Sequence, residues 1–336
     1  MIRCSLSKPL IRRIICPQSS DGVTLTEVVL DQHHLKRPTI AVFLATLGLS
    51  WSTAIFANDL TNDRVQALPI TQQRTIAPLE SAMTSVDLNF EVYGGGLHVV
   101  SFGTQAVLTP RSYEIAAQFQ TEGIADSLFH GRGSSSASGL LTPSGPQLLT
   151  YSQEYDGRFG ERSIAMALDD NGSYRVTALP ADGVHANGFS PSAIRNSIDP
   201  LTASIFTAIN ANANPCDQTI PVFDGRRIFN LEFSELETTS LNPEGAGAYQ
   251  GDAWKCSVIY KPIAGFTRKW LVEQAKNPLR PFTVWMAKFD ETMGPSGNQP
   301  LILPVRMMFE TVVLNATIHL TAVSIDGQQL IAAVSD

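Results

Sequence analysis

Strict alternation of apolar and polar residues, broken at short intervals by glycine-containing turns, is the feature of this 336-residue chain that most restricts its fold. Val86, Leu88, Phe90 and Val92 are separated by Asp87, Asn89 and Glu91. Successive side chains of a strand point to opposite faces, so a period of two puts the apolar set on a buried face and the acids in solvent. The same period recurs over 113–120, 148–155, 162–168 and 174–179. Between these runs stand Gly94-Gly95-Gly96, Asp156-Gly157 and Asn171-Gly172, residue types that reach the positive φ of a tight hairpin at little cost. Further strands are expected at 97–102, 228–233, 256–260, 282–287, 301–311 and 318–323, with a hairpin turn at Asp224-Gly225.

Two stretches depart from this period. Residues 124–129 have room for one helical turn. Asp199 can cap a helix with Pro200 in its first turn, and Leu201, Ile205, Phe206 and Ile209 then recur at helical spacing until Asn210, Asn212, Asn214 and Pro215 end it. Turn spacing is irregular, which argues against a solenoid. The expected fold is mainly β: a large curled antiparallel sheet or partly open barrel with a short helical insert, forming a single domain over 83–330.

The N-terminal residues carry a different message. Lys36 and Arg37 supply charge, residues 40–49 are apolar apart from Thr46 and Gly48, and Ala57 offers a small residue before Asn58 and Asp59. Basic, apolar and small in that order is the pattern of a cleavable export signal, expected over 36–57. Residues 1–35 precede it either as an extended n-region or as sequence upstream of the true start, and 58–82 form a polar lead without apolar period. Cutting after Ala57 would remove six Lys and Arg and three Asp and Glu, leaving 18 − 28 = −10. That charge repels nucleic acid and anionic membranes, and no later run reaches membrane length. The expected location is outside the cytoplasm.

Export would also reduce four cysteines to two, Cys216 and Cys256. An oxidising compartment favours a disulfide between them over two free thiols, and their spacing matches no compact zinc motif.

Chemistry is sparse. Of the histidines after the lead, His98, His130, His185 and His319, no two stand at the i, i+4 spacing of a helical metal pair. Neither metal nor cofactor is expected. Gly133-Ser-Ser-Ser-Ala-Ser-Gly does not fit a nucleophile elbow and reads as a flexible or edge segment. Glu154 and Asp156 would share a strand face, as solvated carboxylates. Arg226 and Arg227 would point to opposite sides of a strand, one of them free for an anion or paired with Glu232 or Glu235. Arg306, flanked by Val305 and Met307, would sit partly buried against a carboxylate. Trp254, Trp270, Trp285, Phe282, Phe309, Met307 and Met308 supply either core or the lining of an apolar cavity. Arg226, Arg227, Trp254 and Arg306 are therefore the candidate ligand-binding residues, with no catalytic set.

Several pieces in order carry a resemblance: Tyr93-Gly-Gly-Gly-Leu, Asp199-Pro-Leu-Thr-Ala, Cys216, Val222-Phe-Asp-Gly-Arg-Arg, Cys256, Tyr260-Lys-Pro-Ile-Ala-Gly and Leu303-Pro-Val-Arg. Together they resemble the exported proteobacterial family known as domain of unknown function 3108, over most of 85–325. The resemblance implies a Gram-negative envelope protein of curled β-sheet type, similar in shape to periplasmic lipoprotein carriers and envelope stress sensors. Fold analogy of this kind does not transfer function. The expected function is non-enzymatic binding of a hydrophobic or acyl-bearing ligand within the sheet. The alternative is an envelope scaffold or sensor that binds another protein. A cell-wall hydrolase is disfavoured, since no nucleophile, base or metal set stands out.

Overall fold

The computed structural model describes residues 83–143, 145–158, 160–181, 189–209, 214–242, 248–289, 300–310 and 315–331. The expected extension, export segment and lead lie outside the described residues, as does His185.

Alternation becomes strand pairing throughout the first half. Seven strands follow one another: β1 (Thr84–Gly94), β2 (Leu97–Leu108), β3 (Ser112–Thr121), β4 (Arg132–Thr142), β5 (Gly145–Asp156), β6 (Arg162–Leu168) and β7 (Tyr174–Leu179). Each pairs antiparallel with the next. Val86, Leu88, Phe90 and Val92 are all buried, as their period requires. A short helix α1 (Gly123–Phe129) joins β3 to β4. The second half contributes β8 (Thr219–Phe223), β9 (Ile228–Leu241), β10 (Gly251–Ala264), β11 (Phe282–Lys288), β12 (Ile302–Glu310), β13 (Asn315–Ile325) and β14 (Gln328–Ile331). β13 returns to pair with β1, which joins the halves into one antiparallel sheet running from β7 at one end to β8 at the other, with β14 beside β13. The sheet is curled but not closed: β7 and β8 share no ladder.

Its two ends meet through side chains instead. The β8–β9 turn holds Gly225 at φ 82°, and a Cβ placed there would lie 2.7 Å from Cγ2 of Ile164 and 3.5 Å from Met166 and Val176. Those residues belong to β6 and β7, and Met166 is buried in the main core. The tip of the β8 end is thus tucked against the inner face of the β7 end. Arg226 reinforces the contact by donating to the Pro180 carbonyl at 2.7 Å.

The stretch 133–139 is neither flexible nor at an edge. It lies in β4, which pairs with β3 and β5. Its inward residues, Gly133, Ser135, Ala137 and Gly139, are small because their neighbours are large: Gly139 stands opposite Tyr113 and Leu148, and Ala137 opposite Ile115 and Tyr151. A Cβ on Gly139 would lie 2.3 Å from the Gln147 carbonyl and 2.4 Å from the Tyr113 hydroxyl. Only glycine fits there.

Inside the curl runs an inserted segment. Helix α2 (Pro191–Arg195) is capped by Ser190, whose side chain accepts from the Ala193 amide, and α3 (Pro200–Ile209) follows. Packing against β3, β4 and β5 on one side and β8 and β12 on the other, α3 touches both halves of the sheet. Leu201 and Ile205 join the main core, while Ala203 and Phe206 join a second cluster with Ile220, Val222 and Phe229. Burying each of these large apolar side chains contributes about 1.5–3 kcal/mol. After α3 the chain is tied to β10 by the Cys216–Cys256 disulfide, with Cα atoms 5.2 Å apart and both residues fully buried.

Helix α4 (Arg268–Lys276) lay outside the expected elements. It buries none of its residues, so no contact with the core marks it out. Thr267 caps it, accepting from the Trp270 amide, and ring contacts hold it: Trp270 tilted against Phe266 at 4.5 Å and Phe266 edge-on to Tyr260 at 6.2 Å. Among the described residues no helix is long and apolar enough to cross a membrane.

Candidate functional site

The site grows from the way the inserted segment enters the curl. Ile198 bridges β8: its amide donates to the Pro221 carbonyl at 2.9 Å, and its carbonyl accepts from the Phe223 amide at 2.8 Å. Those two bonds set the position of the next residue, Asp199, which is fully buried at the start of α3. Its Oδ1 accepts from the amides of Leu201 and Thr202, both at 2.9 Å, satisfying two donors that a helix start leaves open. Oδ2 has no hydrogen-bond partner.

Three tyrosines from the opposite half surround this carboxyl. Tyr113 of β3 receives a hydrogen bond from Thr202 Oγ1 at 3.2 Å, Tyr151 of β5 donates to Gln153 at 3.2 Å, and Tyr174 of β7 donates to the Leu148 carbonyl at 2.8 Å. Beside them lies a narrow crevice lined by Leu148, Tyr174, Ile194, Ser197, Ile198, Asp199 and Phe223, too tight for a water-sized sphere. Burial pushes the Asp199 pKa up to about 6, an effect that hydrogen bonds from Thr202 and Leu201 partly offset. Burial likewise raises Tyr174 to about 12 and raises Tyr113 and Tyr151, with the Asp199 charge adding to each.

A second buried acid, Asp224, shows the opposite solution. Its Oδ1 accepts from the amides of Arg226 and Arg227 at 2.9 and 2.6 Å, and its Oδ2 faces Arg227 Nε and Nη2 at 3.0 and 2.8 Å. Every lone pair that matters is met, by a forked cation of matching shape. Arg226 and Arg227 therefore sit in the turn before β9 rather than on strand faces. Arg227 takes Asp224 and lies over Phe266 at 5.8 Å, whereas Glu232 takes Lys261 and Glu235 accepts from Asn214.

The other candidates are scattered. Arg306 is buried, 5.5 Å from the Trp285 ring, and donates to the Asn242 carbonyl at 3.1 Å. Lys255 lies 5.9 Å from the same ring, so two cations share one indole. Trp254 is half-buried against the main core. Glu154 and Asp156 share a face, and Asp156 pairs with Arg132 at 2.8 Å. His98 contacts Glu91, His130 stands 3.3 Å from Asp126, and His319 is buried against the Tyr93 ring. Among the described residues no group of three or more His, Cys, Asp or Glu side chains could hold a metal ion.

Sequence reasoning found Asp199 as a cap but not as a site, and it missed Tyr113, Tyr151, Tyr174 and Thr202. Asp199 met a complete local explanation in its helix. Tyr113 showed only as an apolar position in an alternating run, and nothing local brings it beside residue 199.

The model of the family described as a protein of unknown function, DUF3108, matches residues 89–321. No curated protein matches the chain. Among solved structures, a β-barrel-like protein of domain of unknown function DUF1849 from Brucella abortus aligns at 8% identity and a TM-score of 0.38, covering 72% of this chain and 97% of that one. A DUF1329 family protein from Desulfovibrio piger aligns at 8% identity and a TM-score of 0.19, covering 76% and 89%.

Proposed function

The chain belongs to the DUF3108 family, and since that kinship brings no activity with it, we propose from the geometry that this is an exported, non-enzymatic binding protein of the cell envelope that takes a hydrophobic or acyl-bearing ligand inside its curled sheet. The observation that carries the reading is the inserted segment. Strand side chains alone do not fill the curl; α2 and α3 fill it, held by a β-bridge at Ile198 and a disulfide at Cys216. An interior filled by an insert is an interior that opens when the insert shifts. The crevice beside it is mostly apolar with few polar groups, the usual lining of a small-molecule site. As it stands the crevice has no room for even a water-sized sphere, so uptake requires α2 to move outward.

A neutral apolar fluorophore, N-phenyl-1-naphthylamine, tests this directly. It should bind oxidised protein saturably at micromolar concentration and be displaced by a long-chain lipid. Binding that appears only as the protein unfolds would refute the reading.

One observation favours the scaffold alternative. Leu97 at the β1–β2 turn and Ile124 and Leu128 of α1 are 59%, 66% and 50% exposed. The Glu122 amide, just ahead of α1, bonds the Val99 carbonyl at 2.9 Å, which keeps these residues near one another on one rim. A protein partner bound there would lose affinity on Ile124→Asp, with the fluorophore unaffected.

A further inference from the structure

Resting on that reading, the structure assigns Asp199 as the anchor for the polar end of the ligand, and we infer that this end is a hydrogen-bond donor, an alcohol, amide N–H or ammonium, rather than a free carboxylate or phosphate. The fold treats its two buried acids unequally. Asp224 spends both oxygens, one on two amides and one on Arg227. Asp199 spends only one, and its Oδ2 is buried without a partner. A buried acceptor left unmet costs about 1–3 kcal/mol, more for a charged group. Tyr174 is committed to the Leu148 carbonyl, Tyr151 to Gln153 and Thr202 Oγ1 to the Tyr113 hydroxyl, and Oδ2 keeps no hydrogen-bond partner among them.

The lining then selects the chemistry of what could. Among the described residues of the crevice there is no lysine, arginine or histidine, so an anionic head would meet a carboxyl and no cation. Leu148, Ile194, Ile198 and Phe223 offer an apolar chain its wall, with Asp199 set among them. An acyl chain ending in an amide or alcohol satisfies wall and carboxyl together.

Displacement of N-phenyl-1-naphthylamine by three probes of equal chain length decides the matter: dodecanol, dodecylammonium and dodecanoate, near neutral pH. In the wild-type protein the alcohol and the ammonium should displace the fluorophore at concentrations about tenfold lower than dodecanoate, the effect of one hydrogen bond to a charged group. Asp199→Asn, which keeps the capping oxygen and the shape, should cut that preference to about threefold or less. Ile194→Trp narrows the crevice without touching the carboxyl and should weaken all three probes alike. Equal displacement by dodecanoate in the wild type overturns the assignment while leaving apolar binding intact, and so does a preference that survives Asp199→Asn. If Asp199→Asn does not fold, the wild-type comparison still decides. A fluorophore that never binds removes the binding reading and this assignment together.

Discussion

At the scale of single residues the interior is governed by what Asp199 lacks. Its folded-state pKa near 6 lies above the ordinary value of 3.8, so the folded protein holds the proton more tightly than the unfolded chain does. The resulting stability is complete below about pH 4 and is lost as pH rises through about 6, a change of about 3 kcal/mol. The tyrosines facing the carboxyl do not titrate across that window, since Tyr113, Tyr151 and Tyr174 are all raised above their ordinary values. Asp199→Asn should therefore flatten the dependence of the urea midpoint on pH between about 4 and 7 relative to wild type. Parallel curves for the two proteins would show that the carboxyl is not the group responsible. This residue also marks a boundary of what sequence discloses. Its capping role needs only the next three residues, so it was legible. Its orphaned oxygen depends on tyrosines up to 86 positions earlier, 199 − 113 = 86, and no local pattern encodes that.

At the scale of elements, legibility follows the number of neighbours an element needs. β1 and β3 bury one face and expose the other, so two-residue periodicity described them before any partner was known, whereas β5 buries Leu148 and Tyr151 on either side of a register shift that breaks its period. β4 needed both of its neighbours: its glycines and serines look unstructured alone and become necessary once Tyr113 and Tyr151 are placed beside them. α4 buries nothing, so no core contact singled it out. α3 was visible by period, but its place between two halves of a sheet was not. The disulfide gives that placement a measurable consequence. It closes a sequence separation of 40 and fixes the exit of α3 to β10. By loop entropy, Cys216→Ser should lower stability by roughly 3 to 4 kcal/mol in denaturant unfolding. If α3 is held chiefly by this tie, its amides should lose hydrogen-exchange protection in the variant before those of β1 and β13 do. Uniform loss across the sheet would mean that helix and sheet open as one unit.

At the scale of the whole described sheet, the ladder and the roll have different origins. The ladder follows from alternation and turns, each strand finding its sequence neighbour except at the return of β13 to β1. The roll depends on Gly225 meeting Ile164, Met166 and Val176, residues from the far end of the ladder. Curling creates an inside, and the insert occupies it with a carboxyl that no protein group completes. Binding an apolar ligand there is the central claim. Native mass spectrometry of oxidised protein purified from the cells that make it, without detergent, tests it most directly. The expected result is a population heavier than the polypeptide itself by one small apolar molecule, released by organic extraction and diminished in the Ile194→Trp variant. A single mass equal to the polypeptide, together with an extract empty of lipid from protein shown to be folded, would contradict it.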